Sequence, residues 1–215
     1  MKIDQALRQA KKAAANGQLT DAREIYQQIL TKFPKNAKAR AGLADLGAAN
    51  PPNPAAIQQL IGLFQARKLK EAAEFGTVLA QQHPNVAVIY NVLGATFAAM
   101  GQAVRAEQAY GRAIKLDPKN AEIHANLARY YQGVQAHDNA IQSFQTALKY
   151  APDNPTLRYN IGLSYQILGE IGHAIGSYQK TLALNANLPE AWNNLGVVQQ
   201  MDGDFEGALK SYHKS

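Results

Sequence analysis

Residues 189–215 read PEAWNNLGVVQQMDGDFEGALKSYHKS, and their spacing decides the fold. Trp192, Leu195, Gly196 and Gln199 fall at i, i+3, i+4 and i+7, which is one stripe of an α-helix. Gly203 interrupts the pattern, and Phe205, Ala208, Leu209 and Tyr212 then form a second stripe. The stretch therefore predicts two short helices joined by a tight turn. Working outward, the same signature returns every 34 residues. Leu93-Gly94, Leu127-Ala128, Ile161-Gly162 and Leu195-Gly196 recur in one register, and Ala106, Ala140, Ala174 and Ala208 in a second. Tyr110, Phe144, Tyr178 and Tyr212 make a third. Pro84, Pro118 and Pro152 close successive units, with Ala186 in the next slot, because the residue before proline disfavours continued helix. Self-similarity at one period marks a stack of repeats. The Gly and Ala positions let the two helix axes approach closely, and the aromatics fill the space beside them.

These residues resemble the tetratricopeptide repeat family, whose pattern is W-x2-L-G-x2-Y, then A-x3-F, then P over 34 residues. The resemblance covers 87–120, 121–154 and 155–188, with a shortened unit at 189–215. Residues 3–36 also fit, through Gly17, Ala22, Tyr26, Ile29 and Pro34. In 53–86 the pattern is degenerate: Ala72 and Pro84 hold, while Gln59-Leu60 replaces the Leu-Gly pair. Pro34 and Pro84 lie one repeat plus 16 residues apart. That surplus, 37–52, predicts an extra short helix through Ala41, Leu43, Ala44 and Leu46, ending in an extended break at Pro51-Pro52-Asn53-Pro54. The expected organisation is a helix pair at 1–36, an extra helix and Pro-rich break at 37–52, and a main array at 53–215. The resemblance implies an all-α, right-handed superhelix of about 12–13 antiparallel helices, with a concave and a convex surface. The last unit stops inside its second helix, which leads us to expect a piece of a longer protein. In sequence style the chain looks like bacterial proteins whose arrays precede a glycosyltransferase or sulfotransferase domain.

Composition narrows the function. With 47% apolar and 18% charged residues the chain is too apolar to be disordered, and no 18-residue apolar window predicts a membrane span. Cysteine is absent, which removes disulfides, thiolate metal sites and cysteine nucleophiles. The N-terminus lacks the apolar segment of a signal peptide, so a cytoplasmic location is expected. The net charge of +6 combines 16 basic and 8 acidic residues in 1–120 with 6 basic and 8 acidic residues in 121–215. Those cations are dispersed rather than gathered with aromatics, so nucleic acid is not an expected partner. His83, His124, His137, His173 and His213 show no metal-ligand spacing, and His124 occupies the packing slot held by Trp192 in the last unit. Gly169, Gly172 and Gly176 follow no strand and precede no Gly-Lys pair, so they are no phosphate loop. Asp202 and Asp204 read as turn and cap residues. No catalytic constellation, metal or cofactor is expected, and function falls to a surface.

In the first helix of each repeat the core stripe is expected at positions 4, 7, 8 and 11, which leaves 2, 5, 6, 9 and 12 for the concave groove. Those slots hold Asn91, Asn126, Arg129, Tyr159, Asn160, Asn193 and Asn194, our candidate peptide-binding residues, and also Gln132, Gln166 and Gln200. Asn126, Asn160 and Asn194 form a ladder at position 6, with Val92 breaking it in 87–120. A side-chain amide both donates and accepts, so it pairs with an extended backbone of any sequence. With repeats about 10 Å apart, one amide meets every third residue of such a chain. The ladder is similar to that of O-linked N-acetylglucosamine transferase repeat domains, where it holds substrate polypeptides; Asn as consensus filler is the alternative. A chaperone-tail clamp is not expected, since its Lys and Arg are missing. Phe75 to Val104 carries no formal charge, and Val88, Val92 and Ala95 mark an apolar contact: a homotypic interface, a peptide anchor, or simple burial. The reading is a scaffold that binds a protein or peptide, with a transferase's recognition region and a self-assembling homo-oligomer as alternatives.

Overall fold

The computed structural model describes residues 3–16, 18–49 and 52–215. Gly17 and Pro51, used above to mark the first repeat and the break, lie outside the described residues. Among the described residues the structure is all-α, with thirteen helices. In order they are α1 (Ile3–Ala15), α2 (Leu19–Lys32), α3 (Ala37–Ala49), α4 (Pro54–Gln65), α5 (Leu69–Gln82), α6 (Ala87–Ala99) and α7 (Ala103–Leu116). Then come α8 (Ala121–Gly133), α9 (His137–Tyr150), α10 (Pro155–Ile167), α11 (Ile171–Leu184), α12 (Pro189–Asp202) and α13 (Phe205–Tyr212). Two compact units result, Met1–Thr96 and Phe97–Ser215, with the division inside α6.

Local chemistry sets the helix ends. Asn120 and Asn154 stand before α8 and α10, and their side-chain oxygens accept from Glu122 N (3.1 Å) and Leu157 N (3.2 Å). Asn53 caps α4 in the same way at 3.0 Å, with Pro54 in the first turn, where no N–H is needed. Asp204 caps α13 by accepting from Gly207 N at 2.9 Å, the capping role its turn position suggests. The chain leaves the first helix of a repeat through a left-handed residue, Gly203 at φ 87° after α12. Gln135 takes the equivalent place after α8 at φ 62°, without glycine's freedom from steric cost.

In the second unit α8–α9, α10–α11 and α12–α13 pack as hairpins, and α8, α10 and α12 also pack on α7, α9 and α11 of the preceding repeats. The first helix of a repeat thus has two buried faces rather than one. Ala191, Leu195 and Val198 of α12 share a core with Ala174, Tyr178 and Leu182 of α11. Leu157 and Ile161 of α10 share another with Ala140, Ile141, Phe144 and Ala147 of α9. Repeat positions 3 and 10 are accordingly buried, as Ile123, Leu157 and Ala191 and as Tyr130, Ser164 and Val198, which corrects the single-stripe expectation. Within a hairpin the helices approach closely at Gly162 and Gly196, where an added Cβ would lie 2.7 Å and 2.6 Å from ring carbons of Tyr178 and Tyr212.

The first unit holds a core of its own. Leu7, Ala10, Ala22, Tyr26, Ile29, Ala39 and Leu46 join α1, α2 and α3. The helix expected to be short, α3, is a full 13 residues. It behaves as a first helix of a repeat: its Arg40 guanidinium donates to the Pro34 carbonyl, and Gly42 admits the Tyr26 ring of α2. Farther along, α5 packs on α4, and Asn85 donates from Nδ2 to the Ala44 carbonyl of α3 at 3.0 Å.

This packing makes opposite demands on two glycines. Gly162→Ala gains helix propensity worth about 1 kcal/mol but drives a methyl into a fully buried ring, so a net loss of about 1–2 kcal/mol is expected in urea unfolding. Gly111→Ala in α7, with no described atom within 4 Å of its added Cβ, is expected to gain up to about 1 kcal/mol. Burial also raises the hydroxyl pKa of Tyr110 and Tyr178 above the usual tyrosine range. A raised folded pKa means that the neutral phenols stabilise the fold fully below about pH 10, and that this stability is lost as pH rises through the folded values. Ultraviolet titration should show a late-ionising fraction among the 10 tyrosines, reduced in Tyr110→Phe and Tyr178→Phe.

Candidate peptide-binding face

The second unit presents the first helices α8, α10 and α12 side by side, and their position-6 residues are Asn126, Asn160 and Asn194, each half-buried. Asn160 donates from Nδ2 to the Thr156 carbonyl at 2.8 Å. A carbonyl only accepts, so this contact orients the amide and leaves Oδ1 as its acceptor end. Asn194 donates from Nδ2 to the Tyr159 hydroxyl at 2.9 Å, which joins α12 to α10. Neither Oδ1 receives a hydrogen bond among the described residues. Asn126 accepts from the Arg129 guanidinium one turn later on α8. Asn193 is exposed. Tyr159 is half-buried, with its ring tilted against Tyr178 at 5.8 Å. Burial, then the charge of Glu190, raises its hydroxyl pKa, and the Asn194 amide acts in the opposite direction. Leu163 and Val197, half-buried at position 9, add apolar surface beside the amides.

Other residues assigned to the groove are placed differently. Asn91, on α6 in the first unit, is buried with 6% of its surface exposed, and is therefore closed to a ligand at its present packing. In the same helix Val88 is exposed, while Val92 and Ala95 are half-buried. The glutamines at position 12 serve the fold. Gln166 and Gln200 accept from the hydroxyls of Tyr178 (2.6 Å) and Tyr212 (3.1 Å), 12 residues onward in the second helix of the same hairpin. The residue 12 onward from Gln132 is Phe144, which has no hydroxyl, and Gln132 instead donates from Nε2 to the Asn160 carbonyl (3.0 Å) and Ser164 Oγ (2.9 Å) of α10. The Tyr/Phe alternation along the second helices is the sequence signal that separates these two uses.

Position 4 carries a role that periodicity alone does not show. His124 is buried, stacked on Tyr150 with ring centroids 6.0 Å apart, and its Nε2 lies 2.9 Å from the Pro118 carbonyl. Because a carbonyl cannot donate, the proton sits on Nε2. Arg158 donates to the Pro152 carbonyl at 2.8 Å and Trp192 to the Ala186 carbonyl at 2.9 Å, each six residues back. Indole, imidazole and guanidinium are interchangeable here because each brings an N–H to the loop carbonyl before the helix. Among the described residues no cluster of three or more His, Cys, Asp or Glu side chains is placed to hold a metal, and no helix is long and apolar enough to cross a membrane.

Models of the tetratricopeptide repeat match residues 13–50, 87–120, 109–142, 135–169 and 177–210. The chain belongs to the tetratricopeptide repeat family. Repeats of this family make it a protein-interaction scaffold in the general sense. Among solved structures it is similar to MamA, with a TM-score of 0.66, 22% identity, and coverage of 71% of this chain and 90% of that one. It is also similar to PilF of Pseudomonas aeruginosa, with a TM-score of 0.68, 20% identity and coverage of 74% and 73%. At these identities the likeness concerns the fold. Cellulose synthase operon protein C of Xanthomonas axonopodis pv. citri is 28% identical over 161 residues, which is 63% of this chain and 11% of that protein. The chain thus spans about a tenth of that relative's length.

The position-4 contact predicts that His124→Phe, which keeps a ring but leaves the Pro118 carbonyl without its partner, lowers stability by about 1 kcal/mol in chemical denaturation. Gln166→Leu should cost a similar amount by stranding the Tyr178 hydroxyl, and should cost nothing further when combined with Tyr178→Phe.

Proposed function

We propose that this tetratricopeptide repeat protein binds an extended polypeptide along the face formed by α8, α10 and α12, and acts through that binding rather than through catalysis. The observation that carries the reading is the hydrogen bonding of the Asn ladder. Asn160 and Asn194 each donate one N–H of Nδ2 within the protein, at 2.8 Å to the Thr156 carbonyl and 2.9 Å to the Tyr159 hydroxyl, and so are held in place. Their Oδ1 atoms remain as acceptors for the backbone N–H groups of a bound chain. A chain in the polyproline II conformation, with three residues per turn and about 3.1 Å per residue, turns every third N–H to the same side, which suits amides on repeats about 10 Å apart. Contacts of this kind read the backbone, so the face accepts many sequences. Leu163 and Val197 supply an apolar floor that favours an occasional aliphatic side chain, and Arg129 adds a cation at the α8 end.

The test is binding of unstructured peptides on an array, with wild type compared with the combined Asn126→Ala, Asn160→Ala and Asn194→Ala variant. A folded triple variant should lose most of the captured signal, roughly tenfold or more in affinity if each amide contact contributes about 0.5–1.5 kcal/mol. N-methylation of every backbone N–H of a captured peptide should abolish most of its binding to wild type. Equal capture by wild type and triple variant removes the proposal.

A further inference from the structure

A trough of about 270 Å³ lies over α10 between α9 and α11, and none of the Asn ladder lines it. Its floor is Arg158, Ile161 and Tyr165 of α10, at i, i+3 and i+7. One wall is Gly172, Gly176 and Lys180 of α11, at i, i+4 and i+8, and Leu148 of α9 stands on the other side. The room comes from the glycines. An added Cβ at Gly172 or Gly176 would meet nothing within 4 Å, so close helix packing does not require them as it requires Gly162. Glycine is also among the poorest helix formers, so neither is there for the sake of the helix. The equivalent places hold Asp138 and Gln142 in α9, and Glu206 and Lys210 in α13, where the last two pair at 2.7 Å.

Charge at one end of the trough is uncompensated. Positions 4 and 26 of a repeat face each other: in the last unit Lys214 Nζ lies 4.5 Å from the centroid of the Trp192 ring. In the 155–188 unit the same positions are Arg158 and Lys180, so two like charges meet where the next repeat sets a cation on a ring. Neither has a carboxylate partner among the described residues. Arg158 uses one N–H on the Pro152 carbonyl at 2.8 Å, which leaves others of its guanidinium to donate. Residues 121–215 hold 8 acidic side chains, yet none of them lines the trough. A dianion between guanidinium and ammonium removes the repulsion and gains charge-assisted hydrogen bonds. At the other end Tyr165 stacks on His173 with ring centroids 4.9 Å apart, and His173 Nδ1 donates to the Glu170 carboxylate at 3.1 Å. From Arg158 to Tyr165 the helix rises about 10 Å, over the apolar surface of Leu148 and Ile161. We propose that this trough binds a small phosphate monoester with a flat apolar body, the class to which mononucleotides belong. The phosphate carries nearly two negative charges at neutral pH and sits between Arg158 and Lys180. The flat body lies on Ile161 along the glycine wall, toward Tyr165. The volume is at the lower end of small-ligand cavities, which suits one such molecule.

The probe is adenosine monophosphate, titrated calorimetrically into the 215-residue protein. One saturable site is expected, with adenosine and inorganic phosphate each roughly tenfold weaker or worse, since each lacks half of the ligand. Lys180→Gln, at an exposed position, should weaken binding roughly tenfold. Gly176→Gln puts back the side chain that α9 carries as Gln142. It should keep or raise the melting temperature and yet abolish binding, which separates a blocked trough from a misfolded protein. The triple Asn variant should bind the nucleotide as wild type does, so the two proposals stand or fall separately. Absence of saturable binding at millimolar nucleotide, equal binding by Gly176→Gln, or equal affinity for inorganic phosphate alone overturns the proposal. So does a phosphotyrosine peptide that binds roughly tenfold more tightly than the nucleotide and depends on Lys180, which would give the trough to a phosphorylated polypeptide.

Discussion

The close contact of two helices within each hairpin is the constraint on which the rest depends. At Gly162 and Gly196 the first helix comes so near the second that an added Cβ would press on the rings of Tyr178 and Tyr212. The ring lies in the gap left by the missing side chain, and its hydroxyl reaches past the glycine to Gln166 or Gln200. One small residue, one aromatic and one amide therefore set the spacing, the rotation and the register of a hairpin together. Where Phe144 takes the aromatic place the hydroxyl is gone, and the freed Gln132 turns to the next repeat. The same residue type tightens a hairpin in two repeats and stitches neighbouring repeats together in a third.

Because these hairpins are built alike, the first helix of each must bury two sides, one on its own partner and one on the preceding repeat. Only a narrow strip of each first helix is left outside those two contacts, and part of its hydrogen-bonding capacity is already used within the protein. Asn160 and Asn194 each commit one of their two amide N–H groups within the protein, to Thr156 and to Tyr159, and neither Oδ1 is engaged among the described residues.

Legibility differs along the chain. The 34-residue period, the helix pairs and the aromatic ladder are open to reading because each depends on residues three to twelve apart on the same one or two helices. The full length of α3 is harder to see: its Ala- and Gly-rich sequence has a weak apolar stripe, and the contact that identifies it, Arg40 to the Pro34 carbonyl, is polar. Asn91 looks like a groove residue in the sequence because position 5 lies opposite the expected core stripe; that slot is exposed in α12, as Asn193, yet buried in α8, as Ala125, and in α6. Which slots are covered depends on the size of side chains in the adjoining helices, and a single repeat does not carry that information.

The sequence by itself determined that this is an all-α repeat protein of tetratricopeptide type, with its hairpins, turns and Asn ladder in place, because local periodicity and close helix packing are properties of nearby residues. Only the tertiary structure decided what the polar side chains do. His124, Arg158 and Trp192 hold loop carbonyls, the position-12 glutamines answer to hydroxyls, and Asn194 reaches Tyr159 across a repeat boundary. A hydrogen bond needs its partner within about 3 Å and in line. Residues 35 apart, such as Tyr159 and Asn194, meet that condition only after the helices between them have packed.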